Sequence, residues 1–441
     1  MKNIIKISIM LSLAAGLFVM PGCKKLEDTN LNPNNPESVT PSVQLTATEL
    51  QIGYGMGGDY ARYAGLYTQY LVGVDRQFAV YTSYSFSGSD FDQIWQNQYL
   101  SMANLKDLER HSLQKGYNHY AGISEILMAY CLGSNTAVWG DVPYSDAFKG
   151  LDQLQPKFDS QQGLYDTVQA LLDRGIASLA LEPGGAVPGA DDIVYGGNAS
   201  AWTHLAYALK ARYYLHIRKQ NSSAANNAMV ALGNAFTSSG DDAYFHFGTT
   251  PKSANPMWQF DDQRGGYISY VSGYAIEQMV AMSDPRLDDF VDTAKDGLGT
   301  FYGNPESPVQ IMTYAEQKFI EAEVDFINGD HTSAATAHNT AVMESIAAIN
   351  GSPDSAYEAA NAVETDVTIT LEKIMTQKYF ALYMNPEAFS DWRRTGFPAI
   401  SPFPGSVSAI PRRFLYPETE VERNKNTPTG VMTTDKVWWD I

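Results

Sequence analysis

The chain has 441 residues and a formal net charge of −19, with 30 Lys and Arg residues against 49 Asp and Glu residues. A hydrophobic content of 44% with 12% aromatic residues excludes disorder as the main state. The acidic balance argues against a nucleic-acid ligand held through its phosphates, and two cysteines, Cys23 and Cys131, cannot build a disulfide framework.

Residues 1–22 have the layout of a lipoprotein signal peptide. Lys2 and Lys6 precede an apolar run that ends in Gly22-Cys23, and this run is shorter than the roughly 20 residues of a membrane span. We expect cleavage before Cys23, which would become the lipidated first residue; the alternative is an ordinary signal peptide with a stray thiol. Residues 23–41, rich in Asn and Pro, are predicted to form a tether, and residues 42–441 a single domain.

Apolar residues at spacings of three and four dominate long windows of the remaining chain and predict a mainly α fold. These windows are residues 90–114, 117–132, 160–181, 199–219, 312–328, 330–349 and 367–384.

Two adjacent windows read as a helical hairpin of the tetratricopeptide type. Gly329-Asp330 separates two amphipathic helices in residues 312–350, and Ala322, Ala334 and Ala341 stand where such helices approach closely. Residues 199–236 predict a second hairpin and residues 117–181 a third with a long insertion. The fold class is therefore a tetratricopeptide-like helical scaffold whose long irregular insertions form a ligand face. The irregular segments are residues 137–156, 237–273, 284–308 and 396–441.

Most sequence motifs for chemistry are absent or weak. Residues 53–58 satisfy GxGxxG, but residues 43–52 before them have helical rather than strand spacing, so we expect a flexible turn and no dinucleotide site. His331 and His338 are expected to be a solvated pair on a polar helix face, and no metal site or cofactor is predicted.

Paired acidic residues raise the question of glycoside hydrolysis, which needs two carboxylates across a cleft. The alternative is that these pairs cap helices and turns. They stand at residues 191–192, 241–242, 261–262 and 288–289.

Aromatic residues are concentrated in two places. Tyr60, Tyr63, Tyr67 and Tyr70 repeat at three and four and predict a buried helix face. Tyr81 and Tyr84 do not follow that period and stand among Ser, Thr and Gly, so we expect them in an exposed loop as candidate ligand contacts.

The second concentration lies in residues 255–267 and supplies the main candidate site. Trp258 has Asn255, Asp262, Arg264 and Tyr267 as neighbours. Sugars present apolar C–H faces and rings of hydroxyls, which an aromatic platform edged by amide, carboxylate and guanidinium groups would match. The alternative is that these residues pack the segment onto the scaffold.

Several separated motifs, in this order, resemble the SusD/RagB family of nutrient-binding outer-membrane lipoproteins, in particular its SusD-like branch. The motifs are WGDVPYSDAF at 139–148, NPMW at 255–258, SDPRL at 283–287, QKY at 377–379, DWRRTG at 391–396 and IPRRFLYP at 410–417, with Glu420 and Asn424 beyond. The family's EL-x-x-EGxR run is missing, and residues 385–388 read NPEA instead.

The resemblance implies a non-enzymatic lipoprotein, anchored in the outer membrane and facing the cell exterior. Such proteins cover a SusC-like TonB-dependent transporter and capture oligosaccharides, or in some cases peptides, for import. The GDVPY, WRRTG and PRR segments are then expected to be structural braces. The leading hypothesis is glycan capture; the alternatives are peptide capture by the same fold and a secreted glycoside hydrolase.

Overall fold

The computed structural model describes residues 39–441. The predicted signal peptide, Cys23 and the tether up to residue 38 lie outside these described residues. The described chain is mainly α, as predicted. Its helices are α1 (Pro41–Gly55), α2 (Ala61–Tyr67), α3 (Arg76–Thr82), α4 (Asp92–Lys115), α5 (Asn118–Trp139), α6 (Gln161–Leu179), α7 (Ala199–His216), α8 (Ala224–Leu232), α9 (Pro256–Arg264), α10 (Tyr274–Met282), α11 (Leu287–Phe290), α12 (Tyr314–Asn328), α13 (His331–Asn350), α14 (Ser355–Asn361), α15 (Leu371–Ala381), α16 (Glu387–Thr395) and α17 (Glu418–Arg423).

In the described chain, short strands form three antiparallel pairs, of which two join distant parts of the sequence and one is a local hairpin. The pairs are β1 (Val72–Gly73) with β3 (Ile268–Ser269), β2 (Ala243–Phe245) with β6 (Val309–Met312), and β4 (Val291–Asp292) with β5 (Gly297–Leu298). Within the part of the chain that the structure describes, no helix is both long and apolar enough to cross a membrane.

The three predicted hairpins are present as α5–α6, α7–α8 and α12–α13. Between α12 and α13, Gly329 adopts φ +85°, which glycine accepts without strain. The Asp330 carboxylate then accepts a hydrogen bond from the Ser333 amide at 3.0 Å and starts α13. Ala322 and Ala341 are fully buried where the two helices meet. Local turn chemistry and small residues therefore build this hairpin as expected.

The family-like motifs brace the irregular segments against the helices. The Arg393 guanidinium donates from Nη1 to the carbonyls of Ala137 and Arg412, at 2.7 and 2.9 Å. The Asp141 carboxylate accepts the Gln161 amide at 2.7 Å, at the start of α6. Buried backbone groups need such acceptors and donors, so the expected bracing role is confirmed for these residues.

The aromatic helix face is buried as predicted. Tyr60, Tyr63, Tyr67 and Tyr70 all belong to the main hydrophobic core. The rings of Tyr60 and Tyr67 lie 5.5 and 5.7 Å from that of Phe414, which comes from the far end of the chain. These edge and tilted contacts are favourable ring geometries, and they tie α2 to the C-terminal segment.

The glycine run of residues 53–58 is not the flexible turn that we expected. The helix α1 continues to Gly55 and passes through a π-helical turn, Met56–Tyr60, directly into α2. A Cβ atom on Gly57 would lie 2.4 Å from Cγ2 of Val309, so glycine is needed for the close approach of β6. Gly58 carries non-helical angles and kinks the backbone inside this turn.

The expected solvated histidine pair is also wrong. His338 is buried, and burial lowers the pKa of its imidazole to about 4. His331 remains exposed and stacks on Phe326 with ring centroids 4.7 Å apart. Among residues 39–441, no group of three or more His, Cys, Asp or Glu side chains is placed to hold a metal ion.

Candidate ligand cleft

An open cleft of about 590 Å³ lies between the first helices and the irregular segment that precedes α9. This volume is within the usual range of small-molecule sites. The cleft is lined by Ala47, Leu50, Gln51, Tyr54, Gly55, Gly58, Asp59, Arg62, Gln93, Ile94, Asn97, Phe247, Lys252, Ser253, Ala254 and Arg264.

The kinked junction of α1 and α2 supplies the central side chains of the cleft. Tyr54 comes from the last turn of α1, Asp59 from the π-helical turn, and Arg62 from the first turn of α2. Gln93 and Asn97 lie one turn apart on α4 and enter from the neighbouring helix. Three elements therefore converge on one concave surface.

The ion pair of Asp59 and Arg62 is the main charged feature on the α1–α2 side. The Arg62 guanidinium donates from Nη2 to Asp59, and its side chain is 7% exposed while that of Asp59 is 39% exposed. The guanidinium carbon also lies 4.4 Å from the centroid of the Phe260 ring, a cation–π distance. Nε and Nη1 of Arg62 are buried and donate no hydrogen bond to any of the described residues.

An exposed aromatic ring and amide groups stand beside this ion pair. Tyr54 is 45% exposed at the edge of the cleft. The Gln93 amide donates to Asn97 at 2.9 Å, and Gln51 accepts from Asn104 at 3.1 Å. Each amide keeps further donors or acceptors for a ligand. Chemically, the cleft offers one stacking surface and several hydrogen-bonding groups.

Of the residues predicted around Trp258, Arg264 is the member that lines this cleft. Asn255 is buried and caps α9: its Oδ1 accepts from the amides of Met257 and Trp258 at 2.8 and 3.0 Å, and its Nδ2 donates to the Ser307 carbonyl at 2.8 Å. Both ends of the Asn255 amide are therefore used within the protein.

The other predicted residues of this set lie on or near α9. Trp258 is half-buried and Asp262 exposed, four residues apart on one face of the helix. The Trp258 side chain makes no hydrogen bond or ring contact with the described residues. Tyr267 is half-buried against Phe260, with ring centroids 6.4 Å apart. The structure thus leaves Trp258 and Asp262 as a surface pair outside the cleft.

Tyr81 and Tyr84 do not lie in an exposed loop, so that expectation is wrong. Tyr81 belongs to α3 and is buried, with its ring stacked on Phe86 at 4.5 Å and its hydroxyl donating to Asp90 at 2.5 Å. Tyr84 is buried and accepts a hydrogen bond from Gln69 at 3.1 Å. Burial of large rings in the aromatic core is favourable, and it outweighs the polar character of the Ser, Thr and Gly residues around them.

Carboxylates from two of the four acidic pairs serve turns in the backbone. Asp192 accepts from the amides of Val194, Tyr195 and Gly197 and from the Trp202 indole, at 2.7 to 3.0 Å. Asp241 accepts from the Thr237 amide at 2.7 Å. These carboxylates hold loops.

Sequence reasoning missed Tyr54, Asp59, Arg62 and Asn97. The D-x-x-R spacing of Asp59 and Arg62 on a helix was an available signal for an ion pair. It was hidden by the interpretation of the glycine run as a turn, because a turn gives no fixed spacing between the side chains that follow.

The comparison with protein families decides the family of the chain. The SusD-like profile described as "Starch-binding associating with outer membrane" matches residues 33–306 and 299–417. The chain belongs to this SusD-like family. The resemblance drawn from the motifs is therefore confirmed, while no curated protein matches the chain.

Solved structures of SusD-like proteins share the fold. A SusD/RagB family protein from Bacteroides thetaiotaomicron has 22% identity and a TM-score of 0.72, covering 91% of this chain and 99% of its own. A chitin-binding protein has 23% identity and a TM-score of 0.75, covering 91% and 100%. A chitin-binding SusD homologue from Flavobacterium johnsoniae has 20% identity and a TM-score of 0.75, covering 90% and 98%. The mainly α fold class is confirmed.

Proposed function

We propose that this SusD-like protein captures oligosaccharides at the outer surface of the cell, in the cleft around Tyr54 and Arg62, and delivers them to a SusC-like TonB-dependent transporter. The observation that carries the proposal is the cleft itself, where an exposed tyrosine ring stands beside amide, carboxylate and guanidinium groups. Pyranose rings combine apolar faces with hydroxyl edges, and this combination of groups complements both. The family description and the chitin-binding neighbours support a saccharide ligand.

Binding without hydrolysis is the form of the proposal that fits the charges of the cleft. Asp59 is the one carboxylate among the described residues that line it, and it is held by Arg62. Glycoside hydrolysis by the usual route needs two carboxylates facing each other across the scissile bond. We therefore propose a capture protein and not an enzyme.

Membrane attachment through Cys23 completes the proposal. Lipid chains on this residue would hold the protein at the outer membrane, because several acyl chains together give stable anchoring. Broad helical faces such as that of α12–α13 would then be available to the transporter. Cys23 lies outside the described residues, so anchoring remains a prediction from the sequence.

The proposal assigns the ligand contacts to two sets of residues, a main set and a secondary one. Tyr54, Arg62 and Arg264 belong to the cleft, whereas Trp258 and Asp262 form a separate surface pair that we retain as a second contact for a longer saccharide. The proposal leaves out Asn255, Tyr81, Tyr84 and Tyr267, because their side chains are used in capping or packed in the protein.

The test is isothermal titration calorimetry of Tyr54→Ala against the wild type with a panel of oligosaccharides. Loss of an aromatic anchor commonly costs about 2 kcal/mol, so we expect affinity to fall by roughly thirtyfold. Because Tyr54 is 45% exposed and lies at the cleft edge, the melting temperature should change little. Val43→Ala is the matched control, since Val43 is exposed on the same helix but does not line the cleft.

Three outcomes would contradict the proposal in different ways. Release of shorter sugars during incubation would indicate a hydrolase. Binding of peptides with no binding of saccharides would favour peptide capture by this fold. Unchanged saccharide affinity in Tyr54→Ala would place the ligand away from this cleft.

A further inference from the structure

We infer that the cleft selects acidic oligosaccharides, those that carry carboxylate or sulfate groups, over neutral ones. This inference rests on the proposed function and adds a substrate class to it. It depends on the charges that surround the cleft, on where the two guanidinium groups lie, and on which of these cations have a counter-ion in the protein.

The cleft is positively charged although the protein is strongly acidic. Three cationic side chains, Arg62, Lys252 and Arg264, line it together with the single carboxylate of Asp59. The whole chain has the opposite balance, with 49 acidic against 30 basic residues. A concave surface of one sign, bounded by low-dielectric walls, concentrates ligands of the other sign. The cleft therefore departs from the rest of the protein in the direction that attracts anions.

Both cleft arginines lie against the same aromatic ring, that of Phe260. The guanidinium carbon of Arg62 lies 4.4 Å from the centroid of Phe260, and that of Arg264 lies 5.8 Å from the same centroid. Each cation gains from the ring, but the ring does not neutralise its charge. An anionic group bound beside the exposed Arg264 would do so, which a neutral hydroxyl cannot.

The protein supplies too few counter-ions for these cations. Within residues 39–441, Lys252 and Arg264 form no ion pair, and Arg62 pairs with Asp59 alone. Arg62 as a whole residue is only 6% exposed, and its Nε and Nη1 atoms donate to no described residue. A buried guanidinium is stabilised when its charge is compensated. The exposed Lys252 and Arg264 thus leave positive charge at the cleft for a ligand to neutralise.

Carboxylate and sulfate share the chemistry that would satisfy this site. Both present planar or tetrahedral sets of oxygens that accept charge-assisted hydrogen bonds from guanidinium and ammonium groups, and these bonds are roughly twice as strong as neutral ones. Uronic acids carry the first group and sulfated sugars the second. Tyr54 and the amides of Gln93 and Asn97 would still contact the sugar ring, as the proposed function requires.

The experiment compares charged oligosaccharides with neutral counterparts of the same backbone. The probes are oligogalacturonate against its methyl ester, oligomannuronate against its methyl ester, and a sulfated galactan oligosaccharide against its desulfated form. Calorimetric titrations at low and high NaCl measure affinity. We expect at least one charged probe to bind roughly tenfold more tightly than its counterpart, with an advantage that shrinks in salt. The two probe classes distinguish carboxylate from sulfate.

Two variants and one control assign the effect to the cleft. Arg264→Gln and Lys252→Gln remove exposed cations that form no ion pair with any described residue, so both variants should fold. Each is expected to reduce the ratio of charged to neutral affinity by roughly fivefold to tenfold. Lys115→Gln makes the same change in net charge at an exposed site at the end of α4 and should leave the ratio unchanged.

Equal affinity for charged and neutral probes would overturn the acidic preference and leave oligosaccharide capture standing. A preference that survives both cleft variants would also overturn it, because the selecting charge would then lie elsewhere. If no saccharide of either kind binds, the proposed function fails together with this inference.

Discussion

Replacing Glu323 with glutamine is expected to destabilise the fold more than removing the arginine that it holds. Glu323 on α12 is fully buried and accepts two hydrogen bonds from Arg394 of α16. It also faces Nε of Arg218 at 3.4 Å. Arg394 binds Asp391 in turn, and Asp391 pairs with Lys378 of α15 at 2.7 Å. This cluster joins three helices with three cations and two carboxylates.

The charge count gives the direction and the size of the effect. Glu323→Gln leaves three cations with one carboxylate, whereas Arg394→Met leaves two cations and two carboxylates, each still paired. Breaking a buried ion pair by removing one member costs about 3–5 kcal/mol, and we expect that loss for Glu323→Gln. For Arg394→Met we expect about 1–3 kcal/mol, mainly for the buried acceptors that lose their donor.

The directions of the pKa shifts in the cluster agree with this charge count. Burial by itself would raise the pKa of Asp391, but the Arg394 and Lys378 cations outweigh it and hold that pKa well below its ordinary value. Burial lowers the pKa of Arg218; the Glu323 carboxylate opposes this shift, and the Arg394 cation adds to it. The carboxylates are thus the scarce partners of the cluster, so removing one of them is the larger perturbation.

Urea unfolding followed by circular dichroism at pH 7 measures the free energy of unfolding of each variant. The matched control is Glu321→Gln on the same helix, where a partly exposed pair with Lys318 should contribute at most about 1 kcal/mol. The reasoning is refuted if Arg394→Met costs more than Glu323→Gln, or if Glu323→Gln costs no more than the surface control.

Three further predictions concern pH, the anchor and the surface tryptophan. Burial, and then Asp192, raise the pKa of Glu49 well above its ordinary 4.5. The contribution of Glu49 to stability is therefore fully present below that ordinary value and is lost as the pH rises through the raised pKa. Glu49→Gln should reduce the fall of the urea unfolding midpoint with rising pH, and an unchanged pH dependence would contradict this. Cys23→Ala should move the protein to the soluble fraction, and tight membrane association of the variant would contradict lipid anchoring. Trp258→Ala should lower the affinity for a long oligosaccharide by roughly thirtyfold in calorimetric titration, with the melting temperature unchanged. A lower melting temperature with unchanged affinity would instead show that Trp258 has a packing role.

The helical hairpins could be predicted because their signals are local. Gly329 and Asp330 provide the turn and the helix cap within two adjacent residues, and the small residues that meet across α12 and α13 lie fewer than twenty positions apart. The turn and the close helix contact can therefore be predicted from this stretch alone. The family-like motifs were informative for another reason. Each motif alone is weak evidence, but their order along the chain is specific to the family.

The burial of Tyr81 and Tyr84 could not be read from their neighbours. Tyr84 packs near Phe403, with ring centroids 6.0 Å apart, and the core that surrounds Tyr81 includes Phe414. The contact between Tyr84 and Phe403 joins residues more than three hundred positions apart. The local sequence has no helical period at Tyr84, and the period was the only evidence available for burial, so the prediction of an exposed loop followed from the missing information.

The candidate cleft shows most clearly how one local misreading hides a site. The glycines of residues 53–58 look like a flexible turn in the sequence. In the structure, Gly57 has no side chain and so allows Val309 to pack closely, and Gly58 kinks a continuous helical path. That kink sets the direction in which Asp59 and Arg62 leave the backbone, and so brings Arg62 over Phe260 of α9. A freely moving turn would leave a buried arginine without a fixed counter-ion, which is costly. The close packing of Gly57 against Val309 holds the π-helical turn that carries Asp59, so we expect Gly57→Ala to shift this turn and with it the charged side of the cleft.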